Sequence, residues 1–295
     1  MRFAKMHGAG NDYIYVNAVG QDLAGYDLCK LARAVSDRHF GIGSDGLILI
    51  ETAKAADFRM RMFNSDGSEA EMCGNGMRCF AKYVYERGLT TERNLEVETG
   101  AGLIKTKLVF EGKRVVGARV DMGRPRLAPD QIPVRLKGHT TSEPVVAETL
   151  RADGKKLAVT CVSMGNPHCV LFVKNPDTYP VARLGPAIET HPAFPARTNV
   201  EFVQVLGHDR AKMRVWERGA GETLACGTGA CAAAVACNLT EQTGRSVTMA
   251  LPGGELHIEW AGNDHVFLSG PAEEAFSGDF DAEALIASLE ERVGG

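Results

Sequence analysis

The sequence has little of what membrane, nucleic-acid-binding or secreted proteins need. No apolar run reaches the roughly 18 residues of a membrane span, and the N-terminal segment lacks the apolar stretch of a secretory signal. The net charge of −4 comes with no long basic run, which argues against nucleic acid as the main partner. The expected location is therefore the cytoplasm, with no membrane partner.

Cysteine is present, but in none of the spacings that bind zinc or form a redox pair. The chain has eight cysteines and no Cys-x-x-Cys motif. Thiols are expected to stay reduced in a chain without a signal peptide. No metal site is predicted. Six cysteines lie in apolar or alanine-rich segments and are predicted to be small buried side chains. These are Cys29, Cys79, Cys161, Cys169, Cys231 and Cys237.

The other two cysteines, Cys73 and Cys226, lie in matching motifs, Phe63–Met77 and Trp216–Ala230. Each motif has an aromatic residue ten positions before the cysteine and a glutamate four before it. Gly-x-Gly follows each cysteine directly. Two matched thiols predict one active site assembled from two halves of a duplicated fold. Such a site suits a reaction that needs an acid and a base on opposite faces of one carbon, as racemisation does.

The repeat extends to two further pairs of segments. Gly10–Asp12 precedes Gly165–Pro167 by 155 positions, and Asp45–Ile48 precedes Asn199–Phe202 by 154. A chain of 295 residues with 44% hydrophobic and 24% charged content fits two globular domains of ordinary size. The predicted halves are 1–126, with 272–295 packing back on it, and 127–271. The proline-rich segment Gly123–Pro144 is the predicted crossover between them.

Periodicity predicts many short strands and few helices. Predicted strands are Phe58–Phe63, Leu103–Phe110, Val200–Leu206, Ala211–Trp216, Glu255–Trp260 and His265–Leu268. Predicted helices are Asp27–Asp37, Arg78–Arg87, Ala230–Leu239 and Phe280–Arg292.

Two of the predicted helices follow the cysteine motifs and differ in polarity. In the first, Arg78, Lys82 and Glu86 form one polar stripe. The second carries no charge and is expected to be buried on nearly all sides. A charge-free helix among many strands predicts an α+β fold of two pseudo-symmetric domains. Each domain would be a curled, mostly antiparallel sheet wrapped around a central helix, with the active site in the cleft between them.

The glycines Gly41, Gly43 and Gly46 match a dinucleotide-binding fingerprint letter for letter. That fingerprint must follow a strand and open a helix. Here it follows a predicted helix and opens the apolar run Leu47–Ile50, so nucleotide binding is not predicted.

A cysteine placed before Gly-x-Gly and a helix lies near the positive end of the helix dipole. This position is expected to lower the pKa of the thiol toward neutrality. The glycines let backbone N–H groups point into the site, where they can bind a carboxylate. Cys73 and Cys226 are therefore predicted to be catalytic, one as a thiolate base and the other as a thiol acid.

At this point the chain resembles the diaminopimelate epimerases, which interconvert LL- and meso-2,6-diaminopimelate without a cofactor. The resemblance covers essentially the whole chain and is specific, because related proline racemases carry Cys-Gly-His where this chain has Cys73-Gly74-Asn75. The matching segments are His7–Asp12, Phe40–Gly46, Asn64–Arg78, Gly165–His168, Arg197–Val200 and Trp216–Gly219.

The resemblance implies roles for further residues. The asparagines Asn11, Asn64, Asn166 and Asn199 would hold and orient the substrate. Glu217 and Arg218 would meet its charged groups, with Glu217 also catalytic. The α-carboxylate would lie on the backbones of Gly74, Asn75, Gly227 and Thr228. His168 would support catalysis. The family also implies a small amino-acid substrate, no pyridoxal phosphate and a homodimer.

Alternatives remain open at this point. Asparagine after glycine is commonly a turn residue, Glu217 and Arg218 could be a solvated pair, and His168 could be a core histidine. A proline-type racemase is the nearest rival, although its apolar substrate would leave the asparagines without partners. A phenazine-pathway isomerase would lack the cysteine pair. A thiol redox or metal-binding protein is a rival of another class.

Overall fold

A computed structural model of the chain describes residues 1–136, 139–140 and 143–293. It divides into two compact units, unit 1 (1–120 and 270–295) and unit 2 (121–269). The boundaries predicted from the sequence lie a few residues further along the chain. Part of the predicted crossover, residues 137, 138, 141 and 142, lies outside the described residues.

The elements follow one another in a pattern that occurs twice. The first pass is β1 (Arg2–Gly8), β2 (Asn11–Asn17), α1 (Leu28–Ser36), β3 (Gly46–Glu51), β4 (Phe58–Asn64), β5 (Glu69–Ala70), α2 (Gly74–Glu86), β6 (Asn94–Thr99), β7 (Gly102–Glu111) and β8 (Arg114–Asp121). The second pass is β9 (Glu148–Ala152), β10 (Lys155–Ser163), β11 (Pro167–Phe172), α3 (Val181–Glu189), β12 (Asn199–Gly207), β13 (Arg210–Glu217), β14 (Gly221–Thr223), α4 (Gly227–Leu239), β15 (Ser246–Leu251), β16 (Gly254–Trp260) and β17 (Val266–Pro271). The chain ends with β18 (Glu273–Asp279) and α5 (Ala282–Val293).

Strand pairing is the same in the two units. In unit 1 the order is β18-β1-β2-β3-β4-β6-β7-β8, with β2–β3 and β4–β6 parallel and the other pairs antiparallel. In unit 2 the order is β9-β10-β11-β12-β13-β15-β16-β17, with β11–β12 and β13–β15 parallel. The short strands β5 and β14 pair with β4 and β13. The predicted repeat is thus confirmed strand by strand, and the α+β fold class is confirmed with it.

The residue register refines the match between the repeats. Phe63 pairs with Leu47, and Trp216 pairs with Val200, so the counterpart of Glu201 is Ile48. The offset of 154 in the sequence had aligned Glu201 with Leu47, which is one position earlier than Ile48. In the neighbouring strand pair, Ile48 lies beside Tyr15 and Glu201 beside Val170 in the same way.

Helix α4 is the centre of unit 2. Its residues from Gly229 to Cys237 are buried, and it contacts β10, β11, β12, β15 and β16. Alanine side chains allow this close enclosure because the helix has no bulky group to accommodate on any side. The predicted helix wrapped by sheet is therefore confirmed in this unit.

Helix α2 is enclosed in unit 1, and its polar stripe is mostly buried. Arg78 and Lys82 are buried, whereas Glu86 is exposed. The buried cations are satisfied by acceptors: Nε of Arg78 donates to O of Pro271 at 3.1 Å, and Nζ of Lys82 donates to O of Val115 at 2.7 Å. Two of the three residues of the stripe therefore lie in the core of unit 1, where backbone carbonyl groups accept their hydrogen bonds.

Helices α1 and α5 cover one face of unit 1. Asp27 caps α1 by accepting from the N–H groups of Cys29 and Lys30. Apolar residues of α5, including Leu285 and Ile286, join the core cluster that contains Leu31. The predicted closing helix is confirmed with bounds close to those expected.

Five of the six cysteines predicted to be buried are buried, and Cys29 is not. Cys29 is exposed on α1. The prediction was wrong there because Cys29 follows Leu28 on an amphipathic helix, where neighbouring positions face different sides.

Candidate active site

Cys73 and Cys226 are the residues that cap α2 and α4. Both have extended backbone angles, φ −135° and ψ 121° for Cys73 and φ −123° and ψ 113° for Cys226. Each Sγ accepts a hydrogen bond from the N–H group three residues later, Gly76 or Gly229, at 3.4 Å. The two thiols therefore occupy equivalent positions, each at the N-terminus of the central helix of its unit.

The helices begin earlier than the sequence predicted. They start at Gly74 and Gly227, directly after the cysteines, instead of at Arg78 and Ala230. Gly-x-Gly was left outside the predicted helices, but with a capping side chain in front it forms the first helical turn. The first N–H groups of a helix have no partner within the helix, so each cysteine lies beside several backbone donors.

In unit 1, Asn11 joins the cysteine to its neighbours. Oδ1 of Asn11 accepts from Sγ of Cys73 at 3.3 Å and from Nδ2 of Asn75 at 3.4 Å. Its Nδ2 donates to Oδ2 of Asp45 at 2.7 Å, which fixes which end of the amide faces the thiol. The hydroxyl of Tyr13 also interacts with Cys73. Three predicted site residues are thus brought together here.

Asn64 lies at the end of β4 and is held separately. Its Nδ2 donates to Oγ of Ser68 at 2.9 Å. Within the described part of the chain, no side-chain hydrogen bond links it to Asn11 or Cys73, so any shared role with them would require a ligand.

In unit 2, Asn166 and Thr228 join the cysteine to a buried histidine. Oγ1 of Thr228 lies 3.5 Å from Sγ of Cys226, and Nδ2 of Asn166 donates to that Oγ1 at 3.2 Å. Oδ1 of Asn166 lies 3.0 Å from Nε2 of His168. Nδ1 of His168 lies 2.7 Å from Oε1 of Glu201. Four predicted site residues are therefore linked, together with Glu201, which was not predicted.

Asn199 and Arg218 form a second cluster in unit 2. Nδ2 of Asn199 donates to O of Pro167 at 2.8 Å, and its Oδ1 accepts from the backbone N–H of Arg218 at 2.9 Å. This amide thus ties β11 to the end of β13. The guanidinium of Arg218 donates to O of Ala196 at 3.1 Å.

Glu217 lies at the end of β13, near Cys226. Its Oε1 accepts from Oγ1 of Thr223 at 2.5 Å. Its negative charge, with that of Glu201, contributes to raising the pKa of Cys226. Glu217 is therefore held close to the thiol by a residue of β14.

The surroundings of the two thiols raise their pKa values, which corrects the sequence-based expectation. Burial raises the pKa of Cys73 despite the N–H donor of Gly76. Burial, and then the charges of Glu217 and Glu201, raise the pKa of Cys226 well above its ordinary value. Desolvation of the charged form outweighs the helix-end donors at both positions.

Asp45 and Glu201 are the site residues that sequence reasoning missed. Asp45 orients Asn11, and its other oxygen accepts from Nη2 of Arg38 at 2.8 Å. It opens the repeat landmark Asp45–Ile48, but no role in the site was assigned to it. Glu201 carried a clearer signal, because it is the one charge within the apolar run Val200–Val203.

Among the described residues, no group of three or more His, Cys, Asp or Glu side chains is arranged to hold a metal ion. No helix in that part of the chain is long and apolar enough to cross a bilayer.

Solved structures with the same fold are proteins of a single structural class. A phenazine biosynthesis protein of the PhzF family from Bacillus anthracis aligns with a TM-score of 0.68 at 16% identity, covering 95% of this chain and 99% of that one. A probable proline racemase from Agrobacterium radiobacter aligns with a TM-score of 0.65 at 14% identity, covering 95% of this chain and 92% of that one. The chain therefore has the two-unit fold of the epimerase and PhzF class.

Sequence relatives identify the family within that class. The profile of the family described as diaminopimelate epimerase matches residues 3–128 and 160–274. The diaminopimelate epimerase of Moorella thermoacetica is 57% identical over 281 residues, which is 95% of this chain and 99% of that protein. The diaminopimelate epimerase of Acetivibrio thermocellus is 53% identical over 286 residues, which is 97% of this chain and 100% of that protein. The chain belongs to the diaminopimelate epimerase family.

Proposed function

We propose that the chain is an isomerase that interconverts LL- and meso-2,6-diaminopimelate, a step toward lysine and peptidoglycan precursors, without pyridoxal phosphate. The observation that carries the proposal is the equivalence of Cys73 and Cys226. Each thiol caps the central helix of its unit beside the N–H groups of the first helical turn, in a chain of this family. A racemase of the proline type is not favoured, because its similarity to this chain is at the level of fold alone.

The proposed reaction needs one thiolate and one thiol on opposite faces of the α-carbon. The thiolate takes the α-proton, so the C–H bond breaks and its electron pair stays on carbon. The opposite thiol then donates its proton to the other face, and the protonation states of the two cysteines are exchanged. A thiolate in a desolvated site is a stronger base than one in water, which suits the raised pKa of Cys73 and Cys226.

The helix N-termini supply the fixed donors that the carbanion requires. We assign the α-carboxylate to the backbone N–H groups at Gly74–Asn75 and Gly227–Thr228. Their helix dipoles favour an anion. Donors already aimed at developing charge are commonly the largest catalytic contribution.

The remaining predicted residues would recognise the rest of the substrate. Diaminopimelate has two ammonium and two carboxylate groups, so a selective site needs several polar partners. Amides both donate and accept, and charged side chains pair with substrate charges. In this proposal the amides are Asn11, Asn64, Asn166 and Asn199, and the charged pair is Glu217 and Arg218.

Two further properties belong to this proposal. The family resemblance supports a homodimer and residence in the cytoplasm. Sedimentation at micromolar concentration would test the first, since a species of the single-chain mass of 31.7 kDa would contradict it.

Proton exchange tests the proposed reaction directly. Reduced protein in deuterated buffer should remove the α-proton signal of LL-diaminopimelate in proton NMR and produce the meso isomer. Cys73→Ala and Cys226→Ala should each lower the epimerisation rate to below about a thousandth, because each removes one of the two proton-transfer groups.

Cys29→Ala is the matched control, since Cys29 is an exposed thiol of α1, and it should keep the full rate. Exchange with proline but not with diaminopimelate would replace the substrate and keep the chemistry. Absence of exchange with any amino acid would refute the epimerase proposal and favour a redox role.

A further inference from the structure

Glu201 is a buried carboxyl group flanked by apolar residues in its strand. It lies in β12, its side chain is 0% exposed, and Val200, Phe202 and Val203 around it are also buried. Oε1 contacts His168, and Oε2 has no hydrogen-bond partner among the described residues. A buried carboxyl with one unused oxygen is costly to keep, so its contact with His168 needs an explanation.

The first unit has no such group at the equivalent position. Ile48 occupies the place of Glu201, and Tyr13 occupies the place of His168. Both positions face the glycine three residues after the cysteine. A Cβ on Gly76 would lie 2.7 Å from Cδ1 of Ile48, and a Cβ on Gly229 would lie 2.8 Å from Oε1 of Glu201. The fold therefore accepts an apolar residue here, and Glu201 is not required by packing.

The hydrogen bonds of His168 define its protonation. Both ring nitrogens face oxygen atoms, Oε1 of Glu201 and Oδ1 of Asn166, so Nε2 donates to Asn166 and one further proton lies between Nδ1 and Glu201. A nitrogen and a carboxyl oxygen 2.7 Å apart need a hydrogen between them, so the two groups share that proton as a pair of zero net charge.

The chain of bonds continues from His168 to the thiol. With Nε2 donating to its Oδ1, Asn166 must present Nδ2 on its other side, toward Oγ1 of Thr228. That bond occupies an acceptor position of the hydroxyl, which leaves the Thr228 hydrogen available for Sγ of Cys226. Each hydrogen bond therefore determines which atom donates and which accepts in the next hydrogen bond.

We propose that Glu201 is a positioning residue for the Cys226 thiol, acting by orienting His168 and, through Asn166, the hydroxyl of Thr228. The catalytic part of this inference rests on the proposed function, in which Cys226 transfers a proton. The two thiols then differ in their support: behind Cys226 the amide of Asn166 is oriented by the buried pair of His168 and Glu201. Behind Cys73 the amide of Asn11 is oriented by Asp45.

Two substitutions of Glu201 distinguish the effect of its hydrogen bond to His168 from the effect of filling the buried position. Glu201→Ile installs the residue of the first unit, and Glu201→Gln keeps a donor that can hold Nδ1 of His168. We expect Glu201→Ile to lower kcat about 10- to 100-fold with KM changed less than about threefold, because a small misplacement of a reacting group has effects of this size. Glu201→Gln should stay within about threefold of the unsubstituted kcat. The isoleucine variant should melt at a lower temperature than the glutamine variant, because it leaves Nδ1 of His168 buried without a partner. Both kcat values are therefore measured at a temperature at which each variant is fully folded.

A double variant of Glu201 and Thr228 provides a second test, because it measures whether the two residues act through the same series of hydrogen bonds. Thr228→Val removes the hydroxyl at the thiol, and the double variant with Glu201→Ile should lose no more activity than the poorer single variant. Additive losses would show that the two residues act separately and would overturn the proposal.

NMR of protein labelled with ¹⁵N-histidine reads the orientation of His168 without substrate. We expect a ring N–H proton shifted strongly downfield by the short bond to Glu201, and this signal should be lost in both variants. In Glu201→Gln the ring should keep a single tautomer, with Nδ1 accepting from the amide and Nε2 donating to Asn166, whereas in Glu201→Ile the two tautomers should be mixed. Retained kcat in Glu201→Ile, or equal losses in both variants, would overturn the positioning role. If the protein does not epimerise diaminopimelate, the proposed function fails, and the ring signal still decides whether Glu201 orients His168.

Discussion

Cys73 and Cys226 occupy equivalent positions but have neighbours of different charge. Cys73 lies among the neutral side chains of Asn11 and Tyr13, and the positive charge of Arg78 lowers its pKa in part. Cys226 lies near the carboxyl groups of Glu217 and Glu201, which raise its pKa beyond the effect of burial. The duplication has thus conserved the position of the thiol while its electrostatic surroundings have diverged.

This difference predicts an order of reactivity toward alkylating reagents. An elevated thiol pKa leaves less thiolate at a given pH, and the thiolate is the nucleophile. In ligand-free protein we expect iodoacetamide to modify Cys73 faster than Cys226 at pH 8, with the rate at Cys226 still rising at higher pH after that at Cys73 has levelled. Mass mapping after timed quenching measures both rates in one sample.

Variants carrying Cys73→Ser or Cys226→Ser control for reaction at the other thiol. Exposed Cys29 serves as the internal reference for an unburied cysteine. Faster modification of Cys226 than of Cys73 would contradict the predicted order.

Helices α2 and α4 illustrate what could and could not be read from the sequence. The repeated cysteine motifs, the strands and the charge-free helix were all visible as patterns. Asn11, Asn166, His168 and Thr228 were named from the family resemblance, and Asp45 and Glu201 were missed. The start of each helix was missed because glycine has low helix propensity, and only the capping thiol compensates. The buried contacts of Arg78 and Lys82 depend on carbonyl groups far along the chain, so no local pattern could reveal them.

The buried Lys82 predicts a measurable contribution of α2 to stability. Lys82→Met keeps most of the side-chain volume but removes the donor to the carbonyl of Val115. We expect the free energy of unfolding to fall by about 1–3 kcal/mol, the usual cost of leaving a buried polar group without its partner. Urea titration followed by far-UV circular dichroism measures the change.

Lys105→Met is the matched control for this change. Nζ of Lys105 pairs with Glu96 at 3.1 Å on a side chain that is 67% exposed, and exposed pairs contribute little. Equal shifts of the urea midpoint in the Lys82 and Lys105 variants would refute a special role for the buried contact.

The two units share a strand order but are built differently from the chain. Unit 2 is continuous, whereas unit 1 takes β18 and α5 from the end of the chain. In unit 2 the position of β18 is filled by β9, which directly precedes β10. Unit 1 therefore depends on a distant segment for a strand and for part of its core.

Removal of α5 should loosen unit 1 selectively. Deleting residues 280–295 takes Phe280, Leu285 and Ile286 from the cluster around Leu31 and exposes the apolar face of α1. Hydrogen–deuterium exchange should then be faster in α1, while α3, its counterpart in unit 2, keeps its protection because its core cluster contains no residue of α5. Unchanged protection of α1 would contradict this dependence.

The late arrival of β18 has a consequence for synthesis on the ribosome. Strand β1 emerges first and pairs with β2, but its other edge is completed only by a strand more than 260 residues further along. At typical elongation rates that edge stays open for roughly 13 to 50 s. An open strand edge is a template for pairing with other chains. During this interval unit 2 can already be complete, so the order of folding is expected to run from the middle of the chain outward. Chaperone protection is then most important while the first half of the chain has emerged and β18 has not.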